Sequence, residues 1–126
     1  MTTIVSNESP ITLKFENENV KLLQGDCLKA LAQVPDKSIQ LVCIDPPYNI
    51  GKDSWDNIDN YVEWLLSVIK ILETKLRDNG SFFMFHNEME TISELMVAIK
   101  KQTKFVYKQM IVWKMSRNQR NPMNLG

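Results

Sequence analysis

The sequence predicts an α/β fold: a mostly parallel sheet with helices on both faces. Three observations carry this. Strand-like and helix-like runs alternate along all 126 residues. One strand-like run becomes almost continuously apolar, as a strand covered on both faces must be. Turn chemistry separates the runs, which is the pattern of βαβ units with right-handed crossovers.

The elements follow in order. Residues 11–15 (ITLKF) and 20–24 (VKLLQ) are short strand-type runs, and Gly25-Asp26 breaks the second. Residues 26–33 (DCLKALAQ) form one short helix that Asp26 is placed to cap, ended by Pro35-Asp36. Residues 38–44 (SIQLVCI) are the buried-type strand, stopped abruptly by Asp45-Pro46-Pro47-Tyr48. A Gly/Asp/Asn-rich loop spans residues 49–57. Apolar residues at 58, 61, 62, 65, 66, 69, 72 and 76 then predict a long amphipathic helix over 58–77, with Asp78-Asn79-Gly80 as its stop. Residues 81–85 (SFFMF) read as a second buried-type strand, 88–101 as a helix and 104–113 (KFVYKQMIVW) as a strand. There is no internal repeat.

Composition narrows the function classes. Lys+Arg and Asp+Glu number 15 each, so the net charge is zero, which excludes a uniformly basic nucleic-acid coat and an acidic tail protein. The zero averages two unlike parts. Residues 1–94 carry all 15 acids and eight bases, a net of −7, while residues 95–126 carry seven bases and no acid, a net of +7. No apolar run reaches 18 residues and the N-terminus lacks a basic segment followed by an apolar core, so no membrane span or secretory signal is expected. The two cysteines, Cys27 and Cys43, have neither metal-ligand nor disulfide spacing and read as small packing residues. A cytoplasmic protein follows as the simplest expectation.

The tetrapeptide 45–48 is the candidate for chemistry, because ligands bind outside the carboxyl ends of strands in open α/β sheets. Pro-Pro would also end a strand, and Asp would also cap a turn. The four residues together suit an aromatic exocyclic amine, whose lone pair is delocalised into its ring. A carboxylate and a carbonyl that accept both N–H groups favour a pyramidal nitrogen with its lone pair aimed at an electrophile. Asp45 supplies the carboxylate and Pro46 the carbonyl. The prolines hold the preceding residues extended. Tyr48 offers a ring face on which a planar base can stack, worth roughly 1–3 kcal/mol. Such acceptors act by preorganised electrostatics.

The stretch LLQGDCLKALAQVPDKSIQLVCIDPPYNI resembles the opening of the DNA amino-methyltransferases that modify adenine N6 or cytosine N4, in the permuted group whose catalytic half comes first. Residues 20–114 fit that pattern throughout, including Trp55-Asp56 before the long helix and the late IVWKM. The resemblance implies an incomplete Rossmann-like methyltransferase fold, S-adenosylmethionine as cofactor, and double-stranded DNA from which the target base is flipped; no metal is expected, since the cysteines lack ligand spacing. DPPY rather than SPPY favours adenine N6. The catalytic residues so implied are Asp45, Pro46, Pro47 and Tyr48. The cofactor-binding residues are Asp26, Cys27 and Asp45, with Asp26 reading equally as a helix N-cap. Residues 49–55 resemble a lid beside the target base, or a solvated loop. Phe82, Phe83 and Phe85 read as core, and His86, the only histidine, as structural or incidental.

Basic residues interleaved with aromatics end the chain. Lys100 to Lys108 read as a solvated helix end and strand; Lys114, Arg117 and Arg120 read as phosphate contacts. The domain expectation is one partial methyltransferase domain over 1–126, with a lead-in at 1–19, a catalytic half at 20–114 and a basic polar tail at 115–126. The four glycines (Gly25, Gly51, Gly80 and Gly126) include no G-x-G pair, which the family uses to cradle the methionine part of its cofactor. A truncated or split enzyme is therefore expected, weak alone and associating with itself or with a complementary chain that carries the glycine-rich loop. The competing expectations are a non-catalytic DNA-binding or subunit protein that keeps the fold, and a methyltransferase acting on RNA or on protein glutamine.

Overall fold

The computed structural model describes residues 10–49 and 58–116. Strands β1 (Thr12–Glu16) and β2 (Lys21–Gln24) form an antiparallel hairpin. Helix α1 (Cys27–Ala32) follows, and then strand β3 (Ile39–Ile44), helix α2 (Tyr61–Lys75), strand β4 (Leu76–Met84) and helix α3 (Met89–Gln102). Strands β3 and β4 pair in parallel through the α2 crossover, with Val42 opposite Phe82, Cys43 opposite Phe83 and Ile44 opposite Met84. The architecture is α/β and, among the described residues, has two separate two-stranded sheets.

The core follows from alternation on the strands and from the apolar stripe of α2. Val42 packs with Val68, Leu72 and Leu76, joined by Leu31, Ile44 and Phe82. Tyr61, Leu65, Ile69 and Leu95 form the adjoining cluster, joined by Met84, Ile99 and Phe105. Leu65, Ile69 and Leu95 are the fully buried large side chains. At the amino ends of the sheet, Lys37 N–H donates to the Thr74 carbonyl and Ser38 N–H to the Lys75 carbonyl.

Several expectations need correcting. The three described helices pack on one face of the β3–β4 pair; on the other, Leu41, Cys43 and Phe83 are exposed, so β3 is not covered on both faces among the described residues. Cys27 is exposed as well, and Phe85 is 45% exposed, so neither cysteine is a packing residue and only Phe82 of the three phenylalanines joins the core. Helix α2 stops at Leu76, whose extended backbone (φ −75°, ψ 142°) ends it before Asp78-Asn79-Gly80. Those three residues lie inside β4, where the register jumps from Ile39↔Leu76 to Leu41↔Ser81. Gly80 suits that irregularity because a Cβ there would stand 3.1 Å from the Gln40 carbonyl oxygen. Residues 104–113 form no strand. Phe105 stacks on Phe82 at 5.2 Å, but beyond it Val106, Ile111, Val112 and Trp113 are 69–81% exposed, with no ladder partner to hold them extended. No helix among the described residues is long and apolar enough to cross a membrane.

Shortening Ile69 to Ala should cost about 2–5 kcal/mol of unfolding free energy, because it leaves a cavity within the cluster of Tyr61, Leu65 and Leu95. Leu41→Ser on the open face should change stability by only about 0.5 kcal/mol. Urea denaturation of the two variants checks the contrast.

Candidate active site

The site forms where β3 and β4 end together. The Ile44 carbonyl accepts the Phe85 N–H at 3.0 Å, one step past the paired strands, so residues 45–48 and His86 leave the sheet side by side. Proline at 46 and 47 removes the donors that would continue β3. Asn49 turns the chain in the left-handed region (φ 61°), which Asn tolerates better than most residues. Its Oδ1 accepts the Ile58 N–H at 2.7 Å and so ties the turn to the approach to α2.

Within the turn, the Tyr48 hydroxyl donates to Asp45 Oδ1 at 2.5 Å. Asp45 is otherwise exposed, at the carboxyl end of β3. This bond, and secondarily partial burial and the Asp45 charge, pushes the Tyr48 phenol up to about 12. The Tyr48 and His86 rings are tilted against each other with centroids 5.0 Å apart. Buried Tyr61, from the first turn of α2, donates its hydroxyl proton to the Pro47 carbonyl and meets His86 Nε2 at 3.0 Å. Among the described residues the Pro46 carbonyl is left without a partner. Burial lowers the His86 pKa, opposed more weakly by the Glu88 carboxylate. Glu88 caps α3: its carboxylate accepts from the Thr91 hydroxyl and from Thr91 and Glu90 N–H, and these bonds, Thr91's first, lower its pKa.

The structure thus brings Asp45, Pro46, Pro47 and Tyr48 together and adds Tyr61 and His86. Tyr61 is hidden in the sequence by its place in the apolar stripe. The available signal was a phenol where Leu would suffice, since a buried Tyr hydroxyl needs a polar partner. Asp26 and Cys27 lie at the start of α1 and, among the described residues, share no hydrogen bond with that group. Asp26 Oδ1 accepts the Leu28 N–H at 2.8 Å, the N-cap arrangement. Partial burial of the thiol on an otherwise exposed residue, then the Asp26 charge, pushes the Cys27 thiol up. Lys114 is exposed, while Arg117, Arg120 and residues 50–55 of the expected lid lie outside the described residues.

Residues 39–125 match the N6/N4 DNA methylase family, a span that begins at β3 and includes the whole site. The chain belongs to that family. The methylase chain is 33% identical over 106 residues to the DNA adenine methyltransferase YhdJ of Escherichia coli, covering 79% of this chain and 35% of the relative. It is 33% identical over 97 residues to the Type II methyltransferase M1.MboII of Moraxella bovis, covering 74% and 36%. It is 37% identical over 71 residues to the Type II methyltransferase M.PvuII of Proteus hauseri, covering 54% and 21%. The methylase chain therefore spans about a third of the first two relatives and about a fifth of the third.

The Tyr48–Asp45 bond gives a pH test. A phenol whose pKa is raised by folding contributes stability fully below its ordinary value of 10.0, and loses that contribution as pH rises from there through about 12. Tyrosine-selective NMR titration should find Tyr48 ionising near 12, and Asp45→Ala should bring it back towards 10.0.

Proposed function

We propose that this chain is the base-holding half of a DNA amino-methyltransferase, acting on an exocyclic amine of a flipped base with S-adenosylmethionine as methyl donor. The observation that carries the reading is a pair of acceptors at the end of β3: the exposed Asp45 carboxylate, with one oxygen held by Tyr48, and the Pro46 carbonyl, which has no partner among the described residues, beside a Pro47 carbonyl already taken by Tyr61. In this reading Asp45 Oδ2 and the Pro46 carbonyl accept the two N–H groups of the amine while Tyr48 holds Oδ1. The nitrogen lone pair then points away from the acceptors, and the Tyr48 ring supports the base. When bound, the cofactor supplies an electrophilic methyl group. Formation of the N–C bond would be matched by breaking of the donor's S–C bond, leaving a neutral thioether, and the alkylated nitrogen would be acidic enough to give its surplus proton to the Asp45 carboxylate or to water without a strong base. Adenine N6 is favoured over cytosine N4; the DPPY sequence and the name of the E. coli relative support this.

The residues fit the cofactor in part. Asp26 spends one oxygen on the α1 cap, and its exposed carboxylate keeps acceptor capacity for the hydroxyls of an adenosine. Cys27 stands beside it, with Asp45 as the third cofactor contact. Nothing among the 126 residues offers the G-x-G spacing for the methionine part. We therefore assign residues 20–114 to a catalytic half of a Rossmann-like methyltransferase domain, after a lead-in at 1–19 and before a basic tail at 115–126. The glycine-rich loop is contributed by other residues. The exposed face of Leu41, Phe83 and Phe85 supports association with a complementary chain or a second copy. Lys114, Arg117 and Arg120 approach the phosphates of double-stranded DNA. A cytoplasmic role within restriction-modification accords with the Type II names of two relatives. The second reading, a non-catalytic subunit that keeps the fold, is favoured only by the missing glycine pair.

Labelled methyl transfer to duplex DNA, by the chain alone and with a complementary chain, tests the assignment. Asp45→Ala should lower transfer by at least about a hundredfold while the chain still folds, as circular dichroism checks. Equal transfer by the variant would refute the role of Asp45. Tight S-adenosylmethionine binding by the 126-residue chain in calorimetry would overturn the missing-loop assignment.

A further inference from the structure

We propose that Tyr61 and His86 are positioning residues for the catalytic turn, joined in a one-way hydrogen-bond chain from His86 Nε2–H through the Tyr61 hydroxyl to the Pro47 carbonyl. The inference rests on the reading of residues 45–48 as the amine-binding turn, and it adds the device that aims them.

Two independent constraints fix the direction of the chain. Tyr61 has a single hydroxyl proton, and the Pro47 carbonyl can only accept, so that proton lies on the bond to Pro47. The Tyr61 oxygen must then accept from His86 Nε2 at 3.0 Å, which requires a proton on Nε2. At the other side of the ring, Nδ1 faces the N–H of Asn87 at 3.1 Å and of Glu88 at 3.3 Å, which requires a bare Nδ1. Both demands are met by one species, the neutral imidazole with its proton on Nε2. Partial burial, which lowers the His86 pKa, favours the same neutral ring.

The chain acts on the one peptide that sets the direction of the site. Pinning the Pro47 carbonyl fixes the plane of the 47–48 peptide, and with it the Tyr48 ring and its bond to Asp45. It also occupies the second proline carbonyl, so the Pro46 carbonyl is the one presented to an amine. The anchor is firm at both ends. Tyr61 belongs to the buried cluster of α2, and His86 follows Phe85, whose N–H is bonded to the Ile44 carbonyl. Neither residue touches the amine in this arrangement, so neither is catalytic.

His86 is the only histidine, which makes the test direct. Nitrogen-15 NMR of the histidine-labelled 126-residue chain should show a protonated Nε2 and an unprotonated Nδ1 at neutral pH. The opposite tautomer, or an equal mixture, would overturn the proposal. In Tyr61→Phe the Tyr48 ionisation midpoint should fall by about one unit or more, since the turn that holds Tyr48 on Asp45 is released. His86→Ala should do the same, and His86→Gln, which restores a donor to Tyr61, should recover the midpoint. Should Tyr61→Phe not fold, the two His86 variants decide. A midpoint unchanged in folded variants would reduce Tyr61 and His86 to packing and refute the positioning role. These readouts need no methyl transfer: if DNA is methylated neither by the chain alone nor with a complementary chain, while the tautomer and the midpoint shifts are found, the enzyme reading fails and the hydrogen-bond chain stands.

Discussion

The parallel register of β3 on β4 is the constraint on which the rest depends. With Ile44 opposite Met84 and the Ile44 carbonyl bonded to the Phe85 N–H, the two strands end within one residue of each other. Only then do residues 45–48 emerge beside His86. A slip of one residue would turn every side chain of β3 to the opposite face, placing Leu41 and Cys43 in the core and Val42 outside. The alternation of Val42 and Ile44 with Leu41 and Cys43 resists that slip, because the helices bury only the first pair. The same hydrophobic contrast that holds the fold therefore sets where the acceptors point.

Helix α2 transmits that order to the turn. Tyr61, Leu65, Ile69 and Leu72 recur at helical spacing, and all are buried. Leu65 and Ile69 set the rotation of the helix about its axis, and this brings Tyr61, one turn earlier, under Pro47. Its side chain joins an apolar body to a polar tip, so one residue closes the core and orients the site. Truncating Tyr61 would thus combine two effects that Tyr61→Phe separates: the isosteric ring keeps the packing and removes only the hydroxyl.

The sequence revealed what is local and periodic. The element order as far as α3, the stripe of α2, the cap at Asp26 and the strand stopped by Asp45 each rest on neighbouring residues, and each recurs in the structure. It was less legible wherever a distant partner decides the outcome. Asp78-Asn79-Gly80 has the chemistry of a helix stop, yet it serves as a strand irregularity because Leu76 already meets Ile39. Residues 104–113 have strand propensity, but propensity forms no strand without a ladder. His86 looked incidental because its partners, Tyr61 and Tyr48, are remote in sequence.

The open face of β3–β4 accounts for the largest difference. Leu41, Cys43 and Phe83 give these strands the near-continuous apolar character of a sheet covered on both sides, yet the described helices cover one. Parallel pairs are stable chiefly when both faces are shielded from water. The apolar run 110–113, with Trp113 edge-on to Phe85, stands at the margin of that face and is exposed too. Two neighbouring segments thus carry the composition of an interior without the burial. The physical reading is that the strand pattern encodes contacts beyond those the described residues make with one another. A surface of this kind lowers its free energy when apolar groups cover it, and the covering group would lie directly behind the strand that leads into Asp45.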